Sequence, residues 1–200
     1  MIAEVRLWGR TIGAVSLDEG QDVAAFQYDP TFAASGIELS PLVMPLSDRV
    51  YEFPALPRNT FLTIRQLKLP MAAAEEQFRR MAFNLVAHNQ DDPVKNIAFV
   101  MDKQGQWSLA PAFDVTYSYN PSGTWTAMHQ MTLNGKRDNF SLQDFEACAK
   151  AALMKRGRAA KILGEVCVAV KSWPEFADEA GVSHDWQVKI QNSHRLTFPK

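Results

Sequence analysis

His88–Asn96, reading HNQDDPVKN, and the aspartate that closes Ala110–Asp114, reading APAFD, decide how this chain is read. Asp91 and Asn96 stand in the spacing DxxxxN. Phosphotransferase catalytic loops use that spacing to put a carboxylate beside an attacking hydroxyl and an amide oxygen on a metal ion. The same composition also marks an ordinary loop, because Asn, Asp and Pro after an apolar run favour turns through local side-chain hydrogen bonds and a fixed φ. Spacing alone does not separate the two readings. The order of elements on either side adds the discriminating information.

Upstream, Phe78, Met81, Ala82, Leu85 and Val86 recur at helical spacing between Met71 and His88, while Glu75, Glu76, Arg79 and Arg80 fall on other faces. Acidic side chains lead and basic ones follow, as the helix dipole favours. This helix points its C-terminus at the DxxxxN loop. Downstream, Ile97–Met101 and Trp107–Ala110 flank the polar stretch Asp102–Gln106, which predicts a short hairpin, and Asp114 follows it. Helix, loop with Asp91 and Asn96, hairpin, then Asp114 is the order in which a kinase-type fold delivers a catalytic aspartate and two metal ligands to one cleft.

The N-terminal part reads differently. Ile2–Leu7, Ile12–Leu17 and Val23–Tyr28 are β-type runs, the first two flanking Trp8, Gly9 and Arg10, and together they predict a small antiparallel sheet. Prolines 41, 45, 54 and 57 argue for extended segments laid on a core. Near Phe61 the apolar period changes from roughly two to roughly four, which places a boundary there, between residues 1–61 and 62–200. Beyond Asp114, Tyr117, Tyr119, Pro121, Ser122 and Gly123 form a turn-rich loop, and Trp125–Leu133 reads as a strand closed by the Asn134-Gly135 turn. Ser141 and Asp144 make a capping box for a helix burying Leu142, Phe145, Cys148 or Ala149, and Ala152. A further helix over Ala159–Trp173 buries Ile162, Leu163, Val166 and Val170. A last one within Ser183–Phe198 carries Trp186, Val188, Ile190 and Leu196. The fold class is α+β: a small N-terminal antiparallel β subdomain followed by a mostly helical lobe.

Composition bounds the function classes. The 200 residues are 46% hydrophobic and 22% charged with a formal net charge of -1, which describes a globular chain with no global electrostatic case for nucleic acid or a membrane surface. Two cysteines, Cys148 and Cys167, sit in helical apolar patterns as small hydrophobes, consistent with a reducing cytoplasm. No run of about eighteen apolar residues and no leader-type segment is visible, so the expected location is cytoplasmic. His88, His129, His184 and His194 have no metal spacing, and His88 is placed beside the loop as a supporting group. Lys150, Lys155, Arg156, Arg158 and Lys161 read as a solvated helix junction.

RRMAFNLVAHNQDDPVKNIAFVMDKQGQWSLAPAFDVTYSYNPSG (79–123), followed by HQMTLNGKRDNFSL (129–142), resembles the C-terminal lobe of the HipA family of serine/threonine kinases, the toxins of type II toxin–antitoxin modules. LWGRTIGAVSL (7–17), FQYDP (26–30) and LSPLVMPL (39–46) resemble that family's N-terminal subdomain. The resemblance implies Asp91 as catalytic aspartate, Asn96 and Asp114 as magnesium ligands, Lys95 as a cofactor-binding cation near the phosphates, and ATP with Mg²⁺ as cofactors. It also implies a HipB-like helix-turn-helix antitoxin as partner, DNA contact only through that antitoxin, and a protein substrate such as an aminoacyl-tRNA synthetase or the protein itself. Pro93 stands where the family usually has histidine. The family's central segment, with its phosphate-gripping loop, nucleotide-binding lysine and hinge, has no counterpart between Phe61 and Leu62: neither GxGxxG nor GxxxxGK occurs, and Lys68, the only lysine before the loop, reads as a lone surface lysine. The expected activity is therefore kinase-type transfer from Mg-ATP to a protein hydroxyl, impaired by that gap. The alternatives are a non-catalytic remnant that binds an antitoxin through its sheet, and a metal-dependent phosphohydrolase using Asp91, Asp92 and Asp114.

Overall fold

The computed structural model of the chain describes residues 2–17, 24–40, 44–52 and 60–199. A four-stranded antiparallel sheet opens it, in the order β1 (Ile2–Leu7), β2 (Arg10–Ser16), β3 (Ala25–Tyr28), β4 (Val50–Glu52). Trp8 and Gly9 join β1 to β2 with φ of 50° and 81°. Two consecutive positive φ values give the turn twist that matches a right-handed hairpin. Gly13 is required for a different reason: a Cβ there would press on the Gln27 carbonyl oxygen and come within 2.7 Å of the Phe26 ring. Asp29 then caps the short helix α1 (Pro30–Ala33), its carboxylate accepting from the N–H groups of Thr31 and Phe32 at 2.8 and 3.4 Å. Ile12, Phe26, Tyr28, Phe32 and Tyr51 form the buried core of this part, with Phe26 and Tyr28 edge to face at 4.9 Å.

Val23, where the third strand was expected to begin, and Pro41, Pro54 and Pro57 lie outside the described residues. So does residue 59, just before the expected boundary at Phe61. From Thr60 the structure places a helix not anticipated from the pattern, α2 (Thr60–Gln66), and Lys68 beyond it is exposed.

The helical lobe consists of α2, α3 (Met71–Val86), α4 (Leu142–Ala151), α5 (Arg158–Lys171), α6 (Trp173–Glu179) and α7 (His184–Ser193), with the predicted hairpin present as β5 (Phe99–Met101) and β6 (Trp107–Leu109). Phe78, Ala82, Leu85 and Val86 of α3 meet Phe145 and Ala149 of α4 and Ile162, Leu163, Val166 and Val170 of α5 in one buried cluster. Beside this seam, Arg158 pairs with Glu75 at 2.8 Å and Arg79 with Glu165 at 2.7 Å, so one member of the basic junction is tied to α3. The Ser141–Asp144 capping box forms as expected. Both cysteines are free and half-buried.

Three expectations are corrected. Trp125–Leu133 is not a strand: Trp125 is 73% exposed, and the segment's backbone finds partners in other loops, with Thr126 O accepting from Asn120 N–H at 3.2 Å and Gln130 N–H donating to Asp92 at 2.7 Å. Its apolar alternation has no neighbouring strand to pair with. The Asn134-Gly135 turn does form, with φ of 52° and 79°, bridging Leu133 and Lys136. The helix expected to run to Trp173 stops at Lys171, and a new one starts with Pro174 in its first turn, where a proline interrupts a continuous ladder. The last helix forms within the expected segment, but of its expected apolar set only Ile190 is buried. No described helix is long and apolar enough to cross a membrane.

Candidate active site

α3 ends in a left-handed cap. His88 adopts φ of 57°, and Asn89 N–H reaches back to Asn84 O at 2.9 Å, the closure that turns the chain sharply off a helix. Asn89 and Gln90 are then buried, Asp91 emerges to solvent and Asp92 turns inward again. Pro93, with φ of -65°, leads into a 3-10 turn over Val94–Asn96, and its carbonyl accepts from Asn96 N–H at 3.0 Å. The proline therefore suits this turn, since its missing N–H lies at a position that needs an acceptor.

That turn folds Asn96 back over the loop. Its Nδ2 donates to Asp91 O at 3.3 Å and to Asp114 Oδ2 at 2.8 Å. Asp114 is held at φ of 54°, with Asn89 Nδ2 donating to its carbonyl at 3.4 Å. The structure thus brings Asp91, Asn96 and Asp114 together. Lys95 is exposed and has no polar contact with those three side chains among the described residues; it lines a groove of about 1160 Å³ with Arg65, Met81 and Cys148.

The Asp91 side chain receives a hydrogen bond from Gln130 Nε2, at 2.6 Å on Oδ1. Asp92 has both oxygens committed: Oδ1 accepts from Gln130 N–H at 2.7 Å and Oδ2 meets His129 Nδ1 at 2.9 Å. His129 is fully buried, and Arg137 donates from Nε to its carbonyl. Its Nε2 meets Arg195 Nη1 at 2.9 Å, and Arg195 Nη2 pairs with Asp138 at 2.8 Å. Gln90 is satisfied with its amide donating to Thr126 O at 2.7 Å and accepting from Arg195 Nη2 at 3.1 Å. None of Gln130, His129 and Arg195 was singled out from the sequence; the one available signal was the HQ pair inside the stretch 129–142. Each Asp92 oxygen thus already holds one hydrogen bond, which ties this carboxylate to the 129–130 segment rather than to Asn96 and Asp114.

His88 is buried with its ring centroid 4.2 Å from that of Tyr119, and neither ring nitrogen has a partner. Burial pushes its imidazole down to about 3, with the Arg195 charge acting the same way. It packs the 117–119 segment against the loop, and Ser118 N–H donates to its carbonyl at 3.2 Å.

The donor set suits a hard cation. Asp114 offers a carboxylate, and with both Asn96 N–H donors engaged, the amide's Oδ1 is left as an acceptor. Behind them lies a cavity of about 30 Å³ lined by Gln77, Asn84, Asn89, Asp92, Asn96 and Asp114. Gln77 Oε1 and Asn89 Oδ1 are buried there as acceptors without donors, which a cation or a water would satisfy. The Asp114 carboxylate and the oxygens of Asn96, Gln77 and Asn89 are donors of the kind magnesium takes, while Arg80, which lines the same cavity, is turned to Glu76 and to Ala110 O.

A small antiparallel sheet leading into a helical lobe, with a polar loop at the end of its first long helix, defines the class of fold. The HipA-like C-terminal domain matches residues 45–173, well over half of the 200 residues, and the chain belongs to that family. No individually curated protein matches it.

Proposed function

We propose that this chain is a HipA-like protein serine/threonine kinase that transfers a phosphoryl group from Mg-ATP to a protein hydroxyl, slowly for want of the central nucleotide-binding segment, working in the cytoplasm alongside a HipB-like helix-turn-helix antitoxin. The observation that carries the reading is the convergence of Asp91, Asn96 and Asp114 through the two Asn96 hydrogen bonds at 3.3 and 2.8 Å. Mg-ATP, when bound, supplies the phosphoryl group and the metal charge that offsets its equatorial oxygens. Asp114 and Asn96 Oδ1 would hold the metal, and exposed Lys95 would add positive charge at the rim. Asp91, exposed and steadied through Oδ1 by Gln130, keeps Oδ2 to orient a substrate hydroxyl and accept its proton. Membership of the family supports the toxin–antitoxin setting and a protein substrate of the aminoacyl-tRNA synthetase kind. Transfer of the γ-phosphoryl group, measured on the wild type and on Asp91→Asn, tests the role: the variant should lose about 100-fold or more, and equal rates would refute it.

A second reading, a remnant that acts by binding, is favoured by the N-terminal sheet. It has its own buried core, and its edge strand β1 bears Ile2 almost fully exposed. Co-elution with a helix-turn-helix antitoxin, lost on deleting residues 1–61, would support that reading over the first if Asp91→Asn changes no activity.

A further inference from the structure

The polar chain behind Asp91 is longer than the loop itself, and its protons can be assigned. Arginine donates and never accepts, so His129 Nε2, 2.9 Å from Arg195 Nη1, is the bare accepting nitrogen. The imidazole proton therefore sits on Nδ1 and is donated to Asp92 Oδ2. The opposite tautomer would set an N–H against the guanidinium and a lone pair against the carboxylate. Asp92, oriented in this way, takes the Gln130 backbone N–H on Oδ1, and the Gln130 side chain reaches Asp91. At the far end Arg195 is fixed by Asp138, by its own N–H on Val86 O at 2.9 Å, and by the Phe140 ring 5.7 Å away. His129 is 0% and Asp92 5% exposed, so solvent cannot replace these bonds.

We propose that Arg195 is a positioning residue for Asp91, acting through His129, Asp92 and Gln130. The inference rests on the reading of Asp91 as the catalytic carboxylate. It makes the segment after α7, beyond the residues matched to the family, a working part of the loop. Arg195 fixes the His129 tautomer, the tautomer fixes the direction of the Asp92 carboxylate, and Asp92 fixes the residue that holds Oδ1 of Asp91. Among the described residues no other side chain bonds the Asp91 carboxylate; Asn96 reaches only its backbone carbonyl.

Two half-mimics of histidine test it in the full chain. His129→Asn places an amide N–H where Nδ1–H stood and keeps the donor to Asp92, whereas His129→Gln places its amide near Nε2 and loses that donor. The first readout is the NMR signal of the Gln130 side-chain amide, identified by its loss in Gln130→Met and its shift in Asp91→Asn. The expected result is that the signal moves in His129→Gln and Arg195→Met and stays in place in His129→Asn. The second readout is transfer: kcat should fall by about tenfold to a hundredfold in the first two variants with KM for ATP unchanged, and His129→Asn should fall less than His129→Gln. If Arg195→Met does not fold, Arg195→Lys, which keeps the charge but cannot serve His129 and Asp138 together, should move the signal part of the way. A wild type without transfer but with the expected signal pattern leaves the positioning of Asp91 standing, separately from its catalytic reading. A Gln130 signal unmoved in folded His129→Gln and Arg195→Met, or equal effects of His129→Asn and His129→Gln, overturns the proposal.

Discussion

At the scale of single residues, neighbours in sequence take opposite environments. Asp91 and Asp92 are adjacent carboxylates, yet one meets solvent and the other is enclosed by His129 and Gln130. His88 carries a consequence for acid stability. Its ordinary value of 6.5 is pushed to about 3 by burial, so the folded chain keeps it neutral while the unfolded chain takes up a proton. The unfolded state binds more protons within that window. Stability from this group is complete above pH 6.5 and falls as the pH drops, by at most about 1.4 kcal/mol per pH unit. His88→Leu should flatten the dependence of urea-unfolding free energy on pH below about 6.5, and an unchanged slope would contradict this account. Asp91, Asn96 and Asp114 were legible in the sequence because their grouping is set by a local spacing and a short hairpin. The partners of Asp92 and His129 were not, since those contacts span 37 and 66 positions and no periodicity encodes them.

At the scale of elements, the helices followed from their periodicity and caps. α4 shows why: the Ser141 N–H and hydroxyl both donate to Asp144 Oδ2, at 2.8 and 2.9 Å. Asp144 also accepts from Asn134 at 2.9 Å and Lys136 at 2.7 Å, which fastens the Asn134-Gly135 turn to the helix start. The bond from Asn134, then that from Lys136, then those from Ser141 hold its carboxyl well below the usual carboxylate range, against the opposing effect of burial. A depressed carboxylate contributes its stability above its ordinary value of 3.8 and loses it as the pH falls further. Asp144→Ala should therefore cost about 1–2 kcal/mol at neutral pH by denaturant titration, with the gap narrowing in acid below about pH 4. A gap that widens in acid would contradict the assignment. The expected strand over Trp125–Leu133 failed for a physical reason: alternation specifies a strand only where a neighbour offers a ladder, and here the neighbours are the loop's own polar groups. α2 escaped notice because its seven residues are too few for a helical period to declare itself.

At the scale of the whole molecule, the switch from two-residue to four-residue periodicity reads out as two buried clusters, one under the sheet and one among the helices. They are linked by Trp107 Nε1 donating to Glu38 O at 2.9 Å, a contact that no pattern in either part announces. The α+β class was thus legible. The exposed faces of α7 were not, because apolar residues alone do not say which of them find a partner. With no glycine-rich phosphate loop in the sequence and Lys68 exposed, we expect this chain by itself to hold nucleotide loosely. Holding two reactants in a well-oriented pair can contribute about 7–11 kcal/mol, and for nucleotide much of it depends on such a grip. Calorimetric titration with Mg-ATP should give a dissociation constant weaker than the low micromolar range, and a low-micromolar value would contradict the expectation. The central claim, that Asp91, Asn96 and Asp114 form a metal–phosphate site, is tested most directly by Mn²⁺ in place of Mg²⁺, read through paramagnetic broadening of backbone amide signals with ATP present. The account predicts that residues 91–96 and Asp114 broaden first and that Asp114→Ala abolishes the effect. Broadening elsewhere, or the same broadening in Asp114→Ala, would contradict it.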